Sequence, residues 1–295
     1  MNFDRYVEIL SDFERLLQCG MEISRLLVGT KTSETHLSYA DPIFTKLLCH
    51  AISLRTLSPT PKEGAGGELW DLPSACAIAR CIIEAHDVLG YLVFNAISQE
   101  ERELRTLIWK LHDKQRRLKM LEAIKSKDPR VEEIREDIKA LLEKATAQPR
   151  FSTLSNHHQK KIRCDAPSFL VSQRELNQAN SVNHDYHTSA TMWLSQYVHT
   201  FPMALHQLFD FKAGTPDALR LSSMPIQYSS GFMANGRCQG ICRISYAALA
   251  GTTCCSLPIY WGLRTPRLAE SSSGKLPTIA GALPPSPFRK VALVC

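Results

Sequence analysis

Four polar side chains, Arg80, Glu84, Asp87 and Tyr91, follow one another at spacings of four, three and four. On a helix that spacing sets them along one narrow strip. A guanidinium, two carboxylates and a phenol in a row suit proton transfer or the grip of a charged ligand, provided the strip opens on a cleft. Tyr197 and His199, further along, could close such a cleft from a second helix. The candidate catalytic groups are then Arg80, Glu84, His86 and His199, and the candidate ligand-binding groups Asp87, Tyr91 and Tyr197. The plainer reading is a buried or half-buried ion pair that fixes helix packing, because buried charges must find partners in either case. If Arg80 is buried with Glu84 as its partner, Glu84→Ala should cost about 3–5 kcal/mol. Spacing alone leaves both readings open.

Other chemistry-bearing residues make weaker sets. His199 sits near a helix end before Pro202, where a histidine is stabilised by the helix C-terminus or serves as a hydrogen-bonded structural group. His184 and His187 share one region, but Asp185 does not complete a tetrahedral zinc set. Cys238, Cys242, Cys254 and Cys255 lack the paired spacing of a zinc ribbon. No Gly-rich phosphate loop, Gly-x-Ser-x-Gly elbow or His-Glu-x-x-His helix occurs. Neither a metal nor a cofactor is therefore expected.

The elements that must position these residues are helical. Residues 3–28 space Phe3, Tyr6, Leu10, Phe13 and Leu17 as an amphipathic helix. Asp41-Pro42 predicts a capped start, with helix from Ile43 to Leu57. The stretch from about Pro73 to Ile97 is apolar around most of its circumference, as in the central helix of a bundle. Ser98-Gln-Glu-Glu101 is a capping box that opens a helix to about Ser126, and Asp128-Pro129 opens another to about Thr146. These two predict a long, charged antiparallel hairpin, read as a solvated face or a partner-binding surface. Residues 147–170 read as irregular. A second capping box, Ser172-Gln-Arg-Glu175, opens a short helix, and helix from His187 to Thr200 ends before Pro202. With no period-two strand in the body, the fold class is all-α, an irregular multi-helix bundle.

The 295 residues are 44% hydrophobic and 22% charged, the composition of a globular protein, and carry a net charge of +6. That surplus is local. Residues 1–220 are balanced, whereas residues 221–295 hold seven basic residues against Glu270, with 7 of the 14 glycines, 7 of the 16 prolines and 5 of the 10 cysteines. A body-wide footprint for a polyanion is absent. The expected division is a helical domain over 1–233 and a basic, low-complexity tail over 234–295 that does not pack in the core. A genuine extension and a translated alternative reading frame would both produce that composition. The N-terminus shows no signal peptide and the cysteine spacings are irregular, so a cytoplasmic protein is expected. A membrane span is not favoured.

Three blocks carry a family resemblance: Ala79-Arg-Cys-Ile-Ile-Glu-Ala85, Glu101 to His112, and Leu194 to Pro202. Through them the body, about residues 5–233, resembles an uncharacterised bacterial family of helical domains of unknown function. The resemblance implies a single helical domain and brings no activity; the tail does not match. Separately, Arg80 and His86 form an Arg-x5-His segment that resembles the Arg-x4–6-His motif of HEPN ribonucleases of defence and toxin systems. That likeness implies a metal-independent ribonuclease with RNA as partner, its Arg stabilising the phosphate and its His exchanging a proton with the ribose hydroxyl. Six residues turn a helix by about 240°, however, which separates the two groups. The favoured reading is a helical protein that acts through protein contacts, or through a small-ligand pocket between the central helix and the one before Pro202.

Overall fold

The computed structural model describes residues 1–29, 34–60 and 69–236. Among them are eleven α-helices and no strand. The chain is all-α, a multi-helix bundle with a long charged hairpin. The expected tail lies almost wholly outside the described residues; its first residues, 234–236, complete the last helix.

α1 (Phe3–Leu27) is capped by Asn2, whose side chain accepts from the Arg5 N–H. α2 (Ala40–Leu57) starts earlier than the Asp41-Pro42 signal predicts, because a single 3-10 turn, Leu37–Tyr39, feeds directly into it. α3 (Leu72–Leu89) takes its cap from Asp71. It packs against α2, α9 (His184–Val198) and α11 (Pro216–Gly236), and α1 closes the group against α2 and α11. Tyr6, Phe13, Leu54, Ile82, Ile83, Leu194 and Phe232 meet in this main core. Burying an aromatic or a branched aliphatic side chain contributes roughly 1.5–3 kcal/mol, so α3 is held from several sides.

Helix was expected to continue to Ile97. Instead α3 widens into a π-turn over Gly90–Phe94, and Asn95 N–H bonds back to Gly90 C=O at 2.9 Å before the backbone becomes extended. Gly90 is where Asn180 closes in: a Cβ there would sit 2.1 Å from Asn180 Oδ1. Only glycine admits that approach.

α4 (Gln99–Ala123) and α5 (Arg130–Thr146) form the hairpin. α4 ends short of Ser126 because Lys125 takes a left-handed conformation (φ 52°), with Ser126 N–H donating to Leu121 C=O at 2.9 Å. Residues 147–170, expected to be irregular, contain α6 (Pro149–Ser152) and α7 (Asn156–Cys164). Phe151 and Ile162 from these short helices join Leu104, Ile108, Leu111 and Ala145 of the hairpin in a second core. α8 (Gln173–Ala179) forms the full capping box on Ser172 and Glu175. α9 begins three residues earlier than predicted because Asn183 caps it, and it stops where Thr200 turns left-handed (φ 55°). α10 (Pro202–Phe209) follows, with proline in its first turn.

Candidate functional site

The polar strip of α3 runs from the solvent edge into the interior. Arg80 Nε donates to Glu84 Oε1 at 2.9 Å, and its Nη1 donates to the Thr191 carbonyl of α9 at 3.3 Å. The two side chains are 33% and 60% exposed, so the pair sits at the rim. Of the buried or half-buried pair that was expected, Arg80 is half-buried against α9 and Glu84 is exposed. Exposed pairs of this kind contribute about 0–1 kcal/mol.

One turn further, Asp87 is enclosed. Its Oδ2 accepts from His187 Nε2 of α9 at 3.0 Å and from Gln173 Nε2 of α8 at 2.9 Å, while Oδ1 faces His86 Nδ1 at 3.4 Å. Donation to Asp87 fixes the proton of His187 on Nε2. Gln173 uses its second N–H on Asn177 Oδ1 at 2.9 Å. Phe232 of α11 lies edge-on to both imidazoles, with ring centres at 5.3 and 5.6 Å. Burial works against the Asp87 carboxylate, but the hydrogen bonds from His187 and His86 outweigh it and hold the group down at about 2. The cluster thus ties α3, α8, α9 and α11 together around one ionised carboxylate that solvent does not reach.

Tyr91 belongs to a second knot. Its hydroxyl accepts from Leu170 N–H at 3.1 Å, and the Arg105 guanidinium lies 4.4 Å over its ring. Burial pushes its phenol up to about 12, with Arg105 opposing. Arg105 also donates to the Tyr91 carbonyl at 3.2 Å and to Glu101 at 2.8 Å, and Arg150 holds the other Glu101 oxygen at 2.6 Å. Burial raises Glu101, yet the bonds from Arg150 and Arg105 prevail and lower it. The Ser98 cap is therefore half a capping box: Ser98 accepts from the Glu101 N–H at 3.2 Å, and the carboxylate turns to the arginines.

The structure joins Asp87 with His86 inside and Arg80 with Glu84 at the rim, and leaves Tyr91, Tyr197 and His199 apart from both pairs. Tyr197 donates to Gln207, and His199 is exposed beside Phe201. Arg80 has no hydrogen bond to His86 or His199 among the described residues. Gln173, Arg105 and Glu101 were not picked out as site residues by sequence reasoning. The signal for the pair was its i,i+4 spacing beside the core positions Leu104 and Ile108. Gln173 showed only its place in a capping box. His187 appeared only as a metal candidate, and no group of three or more His, Cys, Asp or Glu side chains with metal-holding geometry occurs among the described residues.

Open space lies elsewhere, on the outer side of the hairpin. A groove of about 800 Å³ runs between α4 and α5. Tyr39, Trp109, Ala140 and Leu141 give it apolar surface, and Lys110, Lys114, Arg116, Arg117 and Lys144 give it positive charge against Asp113 and Asp137. Lys114 pairs with Asp137 at 2.6 Å, Arg117 with Asp113 at 2.8 Å and Arg116 with Asp165 at 3.7 Å. Lys110 and Lys144 have no carboxylate partner among the described residues. His112, also on the wall, donates from Nδ1 to the Ala166 carbonyl at 2.7 Å, and Gln115 accepts from the Ala166 N–H at 2.7 Å. That clamp holds residues 165–170 behind the groove and leaves Nε2 as the ring's remaining polar atom.

A closed polar interior with an open cationic groove on a helical hairpin defines an all-α domain whose accessible chemistry is on its outside. Residues 44–216 match the family of unknown function DUF5677, and the chain belongs to that family. The match spans the polar residues of both buried clusters, though not Phe232, and every groove residue except Tyr39. No curated protein and no solved structure matches the chain. Among the described residues no helix is long and apolar enough to cross a membrane.

Proposed function

We propose that the protein works through contacts with another protein, and that the hairpin groove is its working surface. The observation that carries this reading is the uncompensated charge of Lys110 and Lys144 on the wall of an open groove with apolar surface. Groups that serve only the fold find partners, as Arg105 does in Glu101 and Asp87 in His187; unpaired cations beside apolar surface, Lys110 half-buried and Lys144 exposed, suit a partner of opposite charge. The engagement of Arg80 by Glu84 and Thr191, and the enclosure of His86 and Asp87, weigh against a ligand pocket between α3 and α9. They weigh equally against Arg-His ribonuclease chemistry, which needs both side chains at one open phosphate. A cytoplasmic setting belongs to the same proposal, supported by the free thiols of Cys19, Cys49, Cys76, Cys81 and Cys164.

The test is a photo-crosslinking residue in place of Ala140, inside the groove, with a control at Glu8 on α1. A discrete partner captured from Ala140 but not Glu8, and lost on Lys110→Glu with Lys144→Glu, is the expected result. Equal capture from both positions, or capture indifferent to the lysines, would sink the reading.

A further inference from the structure

We infer that the groove takes an acidic amphipathic helix of the partner protein, laid along α4 and α5 as a third helix. This rests on the reading of the groove as a protein-binding surface and adds the shape and charge of what binds.

The first observation is the register of α4. Trp109, Asp113, Arg116, Met120 and Ile124 follow at steps of four, three, four and four, which is one face of a helix. Trp109 and Arg116 line the groove, and the same face continues into Met120 and Ile124, which are 62% and 74% exposed. Apolar side chains therefore stand at the two ends of this face, Trp109 at the groove and Met120 with Ile124 toward the turn of the hairpin, with the charged Asp113 and Arg116 between them. From Trp109 to Ile124 the face is about 22 Å long, the length of roughly four helical turns.

The second observation is how the hairpin is covered. One side packs on α6 and α7 through Phe151 and Ile162. On the groove side Tyr39 and Phe169 meet only the Trp109 end, and Met120 and Ile124 beyond it stand exposed. Two antiparallel helices present a trough between them, and a third helix packs into it with apolar residues at helical spacing.

The third observation is charge. Lys110 and Lys144 stand without carboxylate partners on α4 and α5 respectively. Acidic residues flanking an apolar seam would meet them from both sides, while the stems of Lys114, Arg116 and Arg117 add apolar contact. Asp113 and Asp137 sit in the same lining and would repel a continuous row of phosphates. That mixed lining favours a peptide over a nucleic-acid strand.

The experiment uses the full chain and fluorescent fifteen-residue peptides read by anisotropy and circular dichroism. The first peptide carries leucine and phenylalanine at helical spacing with glutamate on the flanks. The second has the same composition scrambled, and the third has lysine for glutamate. The first should gain helicity on binding and bind at least about tenfold tighter than either other. Lys110→Glu with Lys144→Glu should abolish that preference, and Lys110→Gln with Lys144→Gln, which leaves the surface less perturbed, should weaken it by about tenfold. Melting curves of both variants establish that they are folded. Equal binding of the scrambled acidic peptide, or tighter binding of polyuridylate, would reduce the groove to a plain cationic patch and overturn the inference. If no peptide binds while Ala140 still crosslinks its partner, the inference fails and the protein-contact reading survives. If the Ala140 crosslink itself is lacking, the reading fails first.

Discussion

The buried cluster around Asp87 and the open groove around Trp109 use similar residue types, with opposite results. In the cluster, a carboxylate, two imidazoles and a carboxamide meet one another, and solvent is excluded. In the groove, lysines, arginines, a histidine and aspartates line a volume of about 800 Å³, and the charges do not balance. Burial makes the difference. A buried charge without a partner is so costly that the fold selects complete networks, whereas a surface lysine is solvated and stays available to something else. A polar group that is perturbed and enclosed therefore reports on architecture, and one that is unpaired and accessible reports on binding.

Arg105→Ala should give the largest effect on the closed side of this comparison. The Arg105 and Glu101 side chains are only 8% and 12% exposed, and Arg105 also caps the Tyr91 ring and carbonyl. Removal leaves Glu101 buried with Arg150 alone, and a broken buried pair costs about 3–5 kcal/mol. A urea titration reads this directly. A loss under about 1 kcal/mol would mean that water reaches Glu101 and that the knot is not closed.

Next comes Asp87→Asn, read against pH. The carboxyl is held at about 2 in the fold, below its ordinary value of 3.8, so its stabilising contribution is present above pH 4 and is lost as pH falls toward 2. The difference corresponds to about 2–3 kcal/mol. Wild type should exceed Asp87→Asn by that amount near neutrality, and the gap should close between pH 4 and pH 2. A gap that stays constant across that window would detach the stability from the charge on Asp87.

The part of this arrangement that was legible in the sequence is the part set by local chemistry. The α8 capping box, the apolar circumference of α3 and the charged hairpin all depend on residues within a few positions of one another. α6 and α7 escaped because they are short and contribute one buried residue each, Phe151 and Ile162, too few to show a period. The π-turn escaped because its partner, Asn180, lies 90 residues away. Of the strip, Arg80, Glu84 and Asp87 lie on α3, whereas Tyr91 falls in the π-turn and joins a different knot. Spacing around a helix says nothing of what covers it along its length, so Arg80 and Glu84 at the rim could not be told from Asp87 inside. The groove was legible only as a charged surface, since its unpaired lysines are defined by which carboxylates fail to reach them.

Glu84→Ala tests that difference along α3. Its side chain is 60% exposed and its one ion pair is with Arg80, which keeps its bond to the Thr191 carbonyl after the change. Alanine is also the better helix former. The net change should stay within about 1 kcal/mol. A loss of about 3 kcal/mol would instead mark Arg80 as a buried charge left without its partner, and the rim would have to be redrawn one turn further out.

The smallest effect should come from the groove, where Lys110→Gln with Lys144→Gln should change stability by no more than about 0.5 kcal/mol. Neither ammonium reaches a carboxylate among the described residues, so no folded-state ion pair is lost, and glutamine suits a helix about as well as lysine. Both lysines line the groove, and neither is a member of the Leu104, Ile108 and Leu111 core. Removing two positive charges from beside Lys114, Arg116 and Arg117 relieves some like-charge repulsion, so a slight gain at low salt that fades at high salt is expected. A denaturant titration at two ionic strengths separates this from a structural role. If the double variant loses about 2 kcal/mol or more, these lysines hold the hairpin together, and the contrast between a closed interior and an available surface collapses at its open end.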